Sequence, residues 1–157
     1  MITLPTQNDG AQIHTITKNN NAFFNEEEVE CVDELWVEYQ AQGSELSGYY
    51  FLVEKEGETV LGYSCYGPRA LTSGTFDLYW IAIDPSIRRG GIGRKLLAAS
   101  EEAIHKLGGR LIVLETSGLP AYEPTRKFYL ATGYTLEATL KDFYSPGDDL
   151  VIFTKHL

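Results

Sequence analysis

Ile87-Arg88-Arg89-Gly90-Gly91-Ile92-Gly93-Arg94-Lys95 concentrates four of the chain's 13 lysines and arginines in its last eight residues and contains no acid. The 157 residues carry a formal net charge of −9, so with these four cations set aside the remainder stands at −13. Such a local inversion of charge calls for a reason. The stretch follows a strand ending in Ile83-Asp84-Pro85 and precedes an amphipathic helix. Backbone N–H groups at a helix start lack intrahelical partners, and the helix dipole favours an anion there. Three glycines allow positive φ and let the backbone come within contact distance of a phosphate. The stretch therefore reads as a pyrophosphate cradle. A nucleoside triphosphate loop, G-x-x-x-x-G-K-[ST], does not fit it. A dinucleotide fingerprint, G-x-G-x-x-G, needs glycine at position 96, which is Leu96.

Working outward, Ile92, Leu96, Ala99, Ala103, Ile104 and Leu107 form the apolar stripe of the following helix, closed by Gly108-Gly109. Leu111-Ile112-Val113-Leu114 is an unbroken aliphatic run, as in a strand buried on both faces and paired in parallel. Pro124 opens and Gly133 ends a short helix with Thr125, Phe128, Tyr129 and Thr132 on one side. Two strands, about 134–142 and 150–155, join through Ser145-Pro146-Gly147-Asp148. Upstream of the cradle, Thr75 to Ile83 is a strand, and Tyr49-Tyr50-Phe51-Leu52-Val53 with the segment from Thr59 forms a hairpin turning at Lys55-Glu56-Gly57. Asn25 caps a helix whose first turn is Glu26-Glu27-Glu28, which should run to about Gln42 with Gly43 as its stop. Gln12 to Thr17 is expected to form an edge strand. The order predicts an α/β chain with a mixed sheet and helices on its faces, one domain over residues 1–157.

Composition narrows the function. The 43% of hydrophobic residues suit one compact core, and the acidic balance excludes a surface built for nucleic acid. Cys31 and Cys65 are too few and too far apart for a disulfide framework, which suits the cytoplasm. The apolar run Tyr49 to Val53 is, like every other in the chain, too short to cross a bilayer, and Met1-Ile2-Thr3-Leu4-Pro5 lacks a signal-peptide layout.

Arg88, Gly91 and Gly93 stand at the spacing of the signature of the GNAT superfamily of acyl-coenzyme A dependent N-acetyltransferases, and the chain resembles that family. Phe128-Tyr129 followed by Gly133-Tyr134 is similar to a second block of the same family. The resemblance implies a GNAT-like fold: a mostly antiparallel central sheet with a parallel pair at the cofactor site and flanking helices. It implies acetyl-coenzyme A as cosubstrate, an amine acceptor, and a monomer or homodimer. By the same resemblance, backbone amides of Arg89, Gly90, Gly91, Ile92, Gly93 and Arg94 hold the pyrophosphate, with Arg88 at the first position of the signature. The strand Trp80-Ile81-Ala82-Ile83 holds the pantetheine arm and polarises the thioester carbonyl, and Thr125 and Phe128 lie beside the cofactor. Tyr129 corresponds to a tyrosine that protonates the departing thiolate in many relatives.

An ammonium acceptor must lose a proton before it attacks, which requires a base near the thioester. Asp77 is the first candidate, sharing a face with Tyr79 and Ile81 if the strand alternates regularly. Glu115, directly after the aliphatic strand, is the second. The loop 116–122 and the segment Asp142-Phe143-Tyr144 are expected to line the acceptor pocket, and the acid-rich surface favours a cationic amine. Two other readings stay open: a coenzyme A-binding regulatory module without turnover, and a dinucleotide-binding fragment.

Overall fold

The computed structural model describes residues 1–87 and 90–157. Arg88, at the first position of the signature, and Arg89, expected at the pyrophosphate, lie outside the described residues. Seven strands form one sheet: β1 (Ile2–Thr3), β2 (Tyr50–Glu56), β3 (Thr59–Pro68), β4 (Thr75–Ile83), β5 (Leu111–Ser117), β6 (Thr135–Ser145) and β7 (Asp148–His156), in the order β1-β2-β3-β4-β5-β7-β6. Every pairing is antiparallel except β4 with β5, as expected for the mixed sheet. Helices α1 (Gly10–Asn19) and α2 (Glu26–Ser47) bury Ile13, Ile16 and Val32 against Phe51, Val53 and Tyr63 on one face. On the other face, α3 (Ile92–Lys106) and α4 (Glu123–Ala131) bury Leu96, Leu97, Ile104 and Tyr129 against Phe76, Leu78, Ile112 and Phe153. No described helix is long and apolar enough to cross a membrane.

Two expectations are corrected. Residues 12–17, expected as an edge strand, lie inside α1. Ile13, Ile16 and Thr17, at 1%, 2% and 0% exposure, follow a helical interval, and their side chains need one buried face only. Thr15 and Thr17 donate their hydroxyls to the carbonyls of Ala11 and Ile13 four residues back, so two strand-favouring residues are accommodated in the helix. The edge position is taken instead by β1, which pairs with β2. Gly43 breaks the helix where expected: with φ 77° and ψ 173° it is non-helical and kinks α2, and a further short helical stretch runs on to Ser47, capped by Gly48. The cap at Asn25 is as read, its side chain accepting from the Glu28 amide while Glu28 accepts from the Asn25 amide.

The second correction bears on the site. Cys65 pairs with Trp80 but Tyr66 pairs with Leu78, so Tyr79 is an extra residue in β4. The bulge reverses the alternation. Phe76 and Leu78 before it, and Ile81 and Ile83 after it, all pack into the core beneath α3 and α4, while Tyr79, Trp80 and Ala82 pack toward α1 and α2. Asp77 and Ile81 therefore do not share a face.

The close seating of α3 on β3 fixes where its N-terminus lies. A Cβ at Gly62 would stand 2.7 Å from Ile83 Cδ1 and 2.9 Å from the Ala82 carbonyl oxygen, with Leu96 Cδ1 at 3.2 Å, so only glycine allows this approach. One turn further, the buried hydroxyls of Ser64 and Ser100 bond at 2.8 Å. Small residues on both elements thus hold the start of α3 against the end of β4.

Candidate active site

β4 and β5 pair only at Thr75–Leu111, Phe76–Ile112 and Asp77–Val113. Beyond these three pairs each strand stays with its outer neighbour, β4 with β3 as far as Ile83 and β5 with β7 as far as Ser117. The sheet is thereby split into two halves that part after Asp77. The bulge at Tyr79 begins just where the pairing ends, and the added bend and twist carry β4 away from β5. The β5-facing edge from Leu78 to Ile83 has no strand partner, which leaves backbone N–H and C=O groups available to a ligand. Near the end of that edge the Asn20 side chain donates to the Ile83 carbonyl at 2.9 Å.

The gap opens into a cleft of about 610 Å³. Residues 77–83 of β4 and 113–117 of β5 form two of its walls, the segment between α1 and α2 supplies Phe23 and Phe24, the first turn of α2 supplies Glu28, and Tyr122, Thr125, Tyr129, Tyr144 and Asp148 complete it. Phe23 and Tyr122 meet across it with ring centroids 5.4 Å apart, and the Tyr122 hydroxyl donates to the Phe23 carbonyl at 2.9 Å. Arg126 Nη1 donates to the carbonyls of Ser117 and Leu119, tying α4 to the end of β5.

The two candidate bases meet at the fork where the strands part. Asp77, with 13% of its side chain exposed, accepts from Arg69 through Nε at 3.0 Å to each oxygen and through Nη2 at 2.7 Å to Oδ1. The same Nη2 stands 3.7 Å from Glu115 Oε1, whose side chain is 43% exposed. Arg69 is held more firmly protonated than usual by its bond to Asp77 and by the charges of Asp77 and Glu115. Nothing in local sequence marked Arg69 as a partner. It flanks the end of β3, where Gly67 pairs with Asp77 and Pro68 with Phe76, so the register brings it alongside.

Tyr129 reaches the cleft from α4 and is 9% exposed. Its ring packs against Phe128, Tyr134 and Phe153 at centroid distances of 5.4, 5.6 and 5.9 Å. Its hydroxyl has no hydrogen-bond partner among the described residues. Burial pushes its pKa up to about 12, so it remains a proton-bearing group across the neutral range.

At the far end of β4, Gly91 caps α3 with φ 93°, a conformation that L side chains rarely adopt, and no side chain among the described residues caps the helix. The Lys95 amide donating to the Gly91 carbonyl starts the helical ladder, so the amides of Ile92, Gly93 and Arg94 precede it. A Cβ at Gly90 or Gly91 would meet nothing within 4 Å, whereas one at Gly93 would approach Phe128 Cζ at 3.7 Å and Ile83 Cγ1 at 4.0 Å. The uncapped helix start therefore adjoins the free edge of β4 and the Phe128 ring. Lys95, counted above with the cradle, leans toward Glu54 instead, Nζ to Oε1 3.9 Å.

The acetyltransferase (GNAT) family profile matches residues 13–134. The chain belongs to that family. Among solved structures, this GNAT chain is similar to a putative acetyltransferase of the GNAT family from Desulfovibrio desulfuricans, with 38% identity over 99% of both chains and a TM-score of 0.93. It shares its fold with a putative acetyltransferase from Salmonella typhimurium in complex with acetyl-CoA, at 22% identity over 100% of this chain and 93% of that one, TM-score 0.78. An aminoglycoside 6'-N-acetyltransferase complexed with coenzyme A has the same fold at 16% identity, 99% and 96% coverage and TM-score 0.78. No curated protein matches the chain significantly in sequence. GNAT acetyltransferases use acetyl-coenzyme A, and the residues here fit it: an uncapped, glycine-started helix for the pyrophosphate and an unpaired strand edge for the pantetheine amides.

Proposed function

We propose that the protein transfers an acetyl group from acetyl-coenzyme A to the nitrogen of a primary amine, by direct attack in the cleft between β4 and β5. The observation that carries this reading is the parting of the two strands after Asp77, with the Tyr129 hydroxyl at the gap and the start of α3 at its far end, neither bonded to a side chain among the described residues. When bound, acetyl-coenzyme A supplies a thioester whose carbonyl carbon accepts the amine. In this reading Ile92, Gly93 and Arg94, with Gly90 and Gly91, present amides to the pyrophosphate, and Trp80 to Ile83 hold the arm through their free edge. Thr125 and Phe128 flank it. The cytoplasm is the proposed location.

Glu115 is the proposed proton acceptor. Both oxygens of Asp77 already accept from Arg69, whereas Glu115 is more exposed and keeps lone pairs free for an ammonium or an intervening water. Asp77 then acts as a positioning residue that holds Arg69 at the fork. The Tyr129 hydroxyl donates to the sulfur as it departs.

The test is thiol release from acetyl-coenzyme A across a panel of amines, followed by pH–rate profiles of Glu115→Gln and Asp77→Asn. Glu115→Gln should lose about a hundredfold at neutral pH, and the deficit should shrink as the pH nears the pKa of the amine. A Glu115→Gln profile that overlays the wild type, with the deficit found in Asp77→Asn, would return the role to Asp77. Absence of thiol release with every amine, despite tight acetyl-coenzyme A binding, would reduce the protein to a cofactor-binding module.

A further inference from the structure

The acceptor side of the cleft has an uneven charge. Its described lining holds four carboxylates, Glu28, Asp77, Glu115 and Asp148, against one cation, Arg69. Asp77 is matched by Arg69, so three remain, and only one is needed to take a proton from the amine. The other two come from distant parts of the chain. Glu28 lies in the first turn of α2, its carboxylate fixed by the Asn25 amide. Asp148 opens β7 and accepts from the Ser117 hydroxyl. Tyr122 and Tyr144 line the same cleft, and the pKa of each phenol is pushed up by burial and then by nearby carboxylates, Glu28 and Asp148 at Tyr122 and Glu115, Asp148 and Glu28 at Tyr144. Carboxylates set among aromatic rings match an organic ammonium, which takes charge from the first and cation–π contact from the second. The cleft carries an independent mark of a ligand in Tyr129, nine-tenths buried with its hydroxyl unpartnered among the described residues.

Resting on the acetyltransferase reading above, we infer that the acceptor bears at least two ammonium groups, one acetylated beside Glu115 and a second held by Glu28 and Asp148 against Tyr122 and Tyr144. A carboxylate on the acceptor is disfavoured by the same charges. The substrate class is thus a linear diamine or longer polyamine, in preference to a monoamine, an amino acid or a peptide N-terminus.

The experiment compares kcat/KM for 1,3-diaminopropane, 1,4-diaminobutane and 1,5-diaminopentane with the n-alkylamines of the same lengths, and for lysine. The best diamine should exceed its monoamine by roughly tenfold or more, as expected for an ammonium meeting two partly desolvated carboxylates, and added salt should shrink the ratio. Glu28→Gln keeps the reach that caps α2, and Asp148→Asn keeps an acceptor for Ser117. Each should move the diamine-to-monoamine ratio toward one, and the double variant further. A ratio near one in the wild type, or preference for lysine or a peptide, overturns the inference while leaving acetyl transfer intact. If no amine is turned over, calorimetry on the coenzyme A-loaded protein decides. Diamine binding that the monoamine lacks supports the second site although the transfer reading fails, and equal or absent binding overturns it.

Discussion

Tyr129→Phe separates chemistry from folding, because the residue's ring and hydroxyl do different things. The ring is 9% exposed and keeps its contacts with Phe128, Tyr134 and Phe153 when the oxygen is removed. The hydroxyl has no partner among the described residues, so its loss strands no buried donor or acceptor, and the usual penalty of about 1–3 kcal/mol does not arise. The unfolding free energy should stay within about 0.5 kcal/mol of wild type, which for a chain of this size is about 2 °C in Tm. Turnover should behave otherwise. A hydrogen bond to a charged group contributes about 1.5–3 kcal/mol, so the variant should lose about ten- to a hundredfold in kcat. The pKa of about 12 sets the pH dependence. A free thiol ionises near 8.5, so full proton transfer from Tyr129 to a thiolate is uphill by about 5 kcal/mol. The group acts as a hydrogen-bond donor that stays protonated, and the ratio of wild-type to variant kcat should be flat from about pH 6 to pH 10. Paired pH–rate profiles and thermal melts read both quantities. A Tm loss beyond about 5 °C, or a deficit that titrates between about pH 7 and 10, would refute the reasoning.

Gly62→Val should destabilise the fold by about 1–3 kcal/mol or more, since its Cβ meets Ile83 and the Ala82 carbonyl, and should weaken coenzyme A binding by displacing α3; calorimetry and denaturant titration check the pair of effects. Thr17→Val and Tyr63→Phe each break the buried 2.7 Å bond between the two hydroxyls and should cost about 1–3 kcal/mol, while the double variant should cost less than their sum in a double-mutant cycle. Burial raises Tyr79 and Tyr129 to about 12, above the value near 10 of an unfolded tyrosine. The unfolded chain therefore releases those protons first, and the part of the stability that rests on these tyrosines should fall between about pH 10 and 12, after an earlier fall from about pH 8.5 set by the Cys65 thiol, whose pKa burial also raises. Tm measured against pH, with tyrosinate absorbance as a second probe, tests the sign.

What the sequence disclosed and what it withheld follow the range of the interactions involved. The glycine and arginine loop, the cap at Asn25 and the aliphatic run at 111–114 are local devices, and each was readable where it stands. The segment 12–17 was misread because six residues hold too few apolar positions to separate a period of two from one near 3.6. The bulge at Tyr79 could not be read at all, since an extra residue in one strand exists only relative to the register of its partner. The fork of the site is of that second kind. Arg69 becomes the partner of Asp77 through the β3–β4 register, and Glu115 joins them because β5 starts in parallel with β4 before leaving it. Glu28, Asp148, Tyr122 and Tyr144 converge from four elements. Their separate positions in the sequence look like solvated surface, and only the topology turns them into one wall. The end of the cleft proposed for the cofactor is thus written locally and the end proposed for the acceptor by tertiary placement, so the family can be recognised from a short motif while a proposed acceptor has to be argued from the assembled cleft.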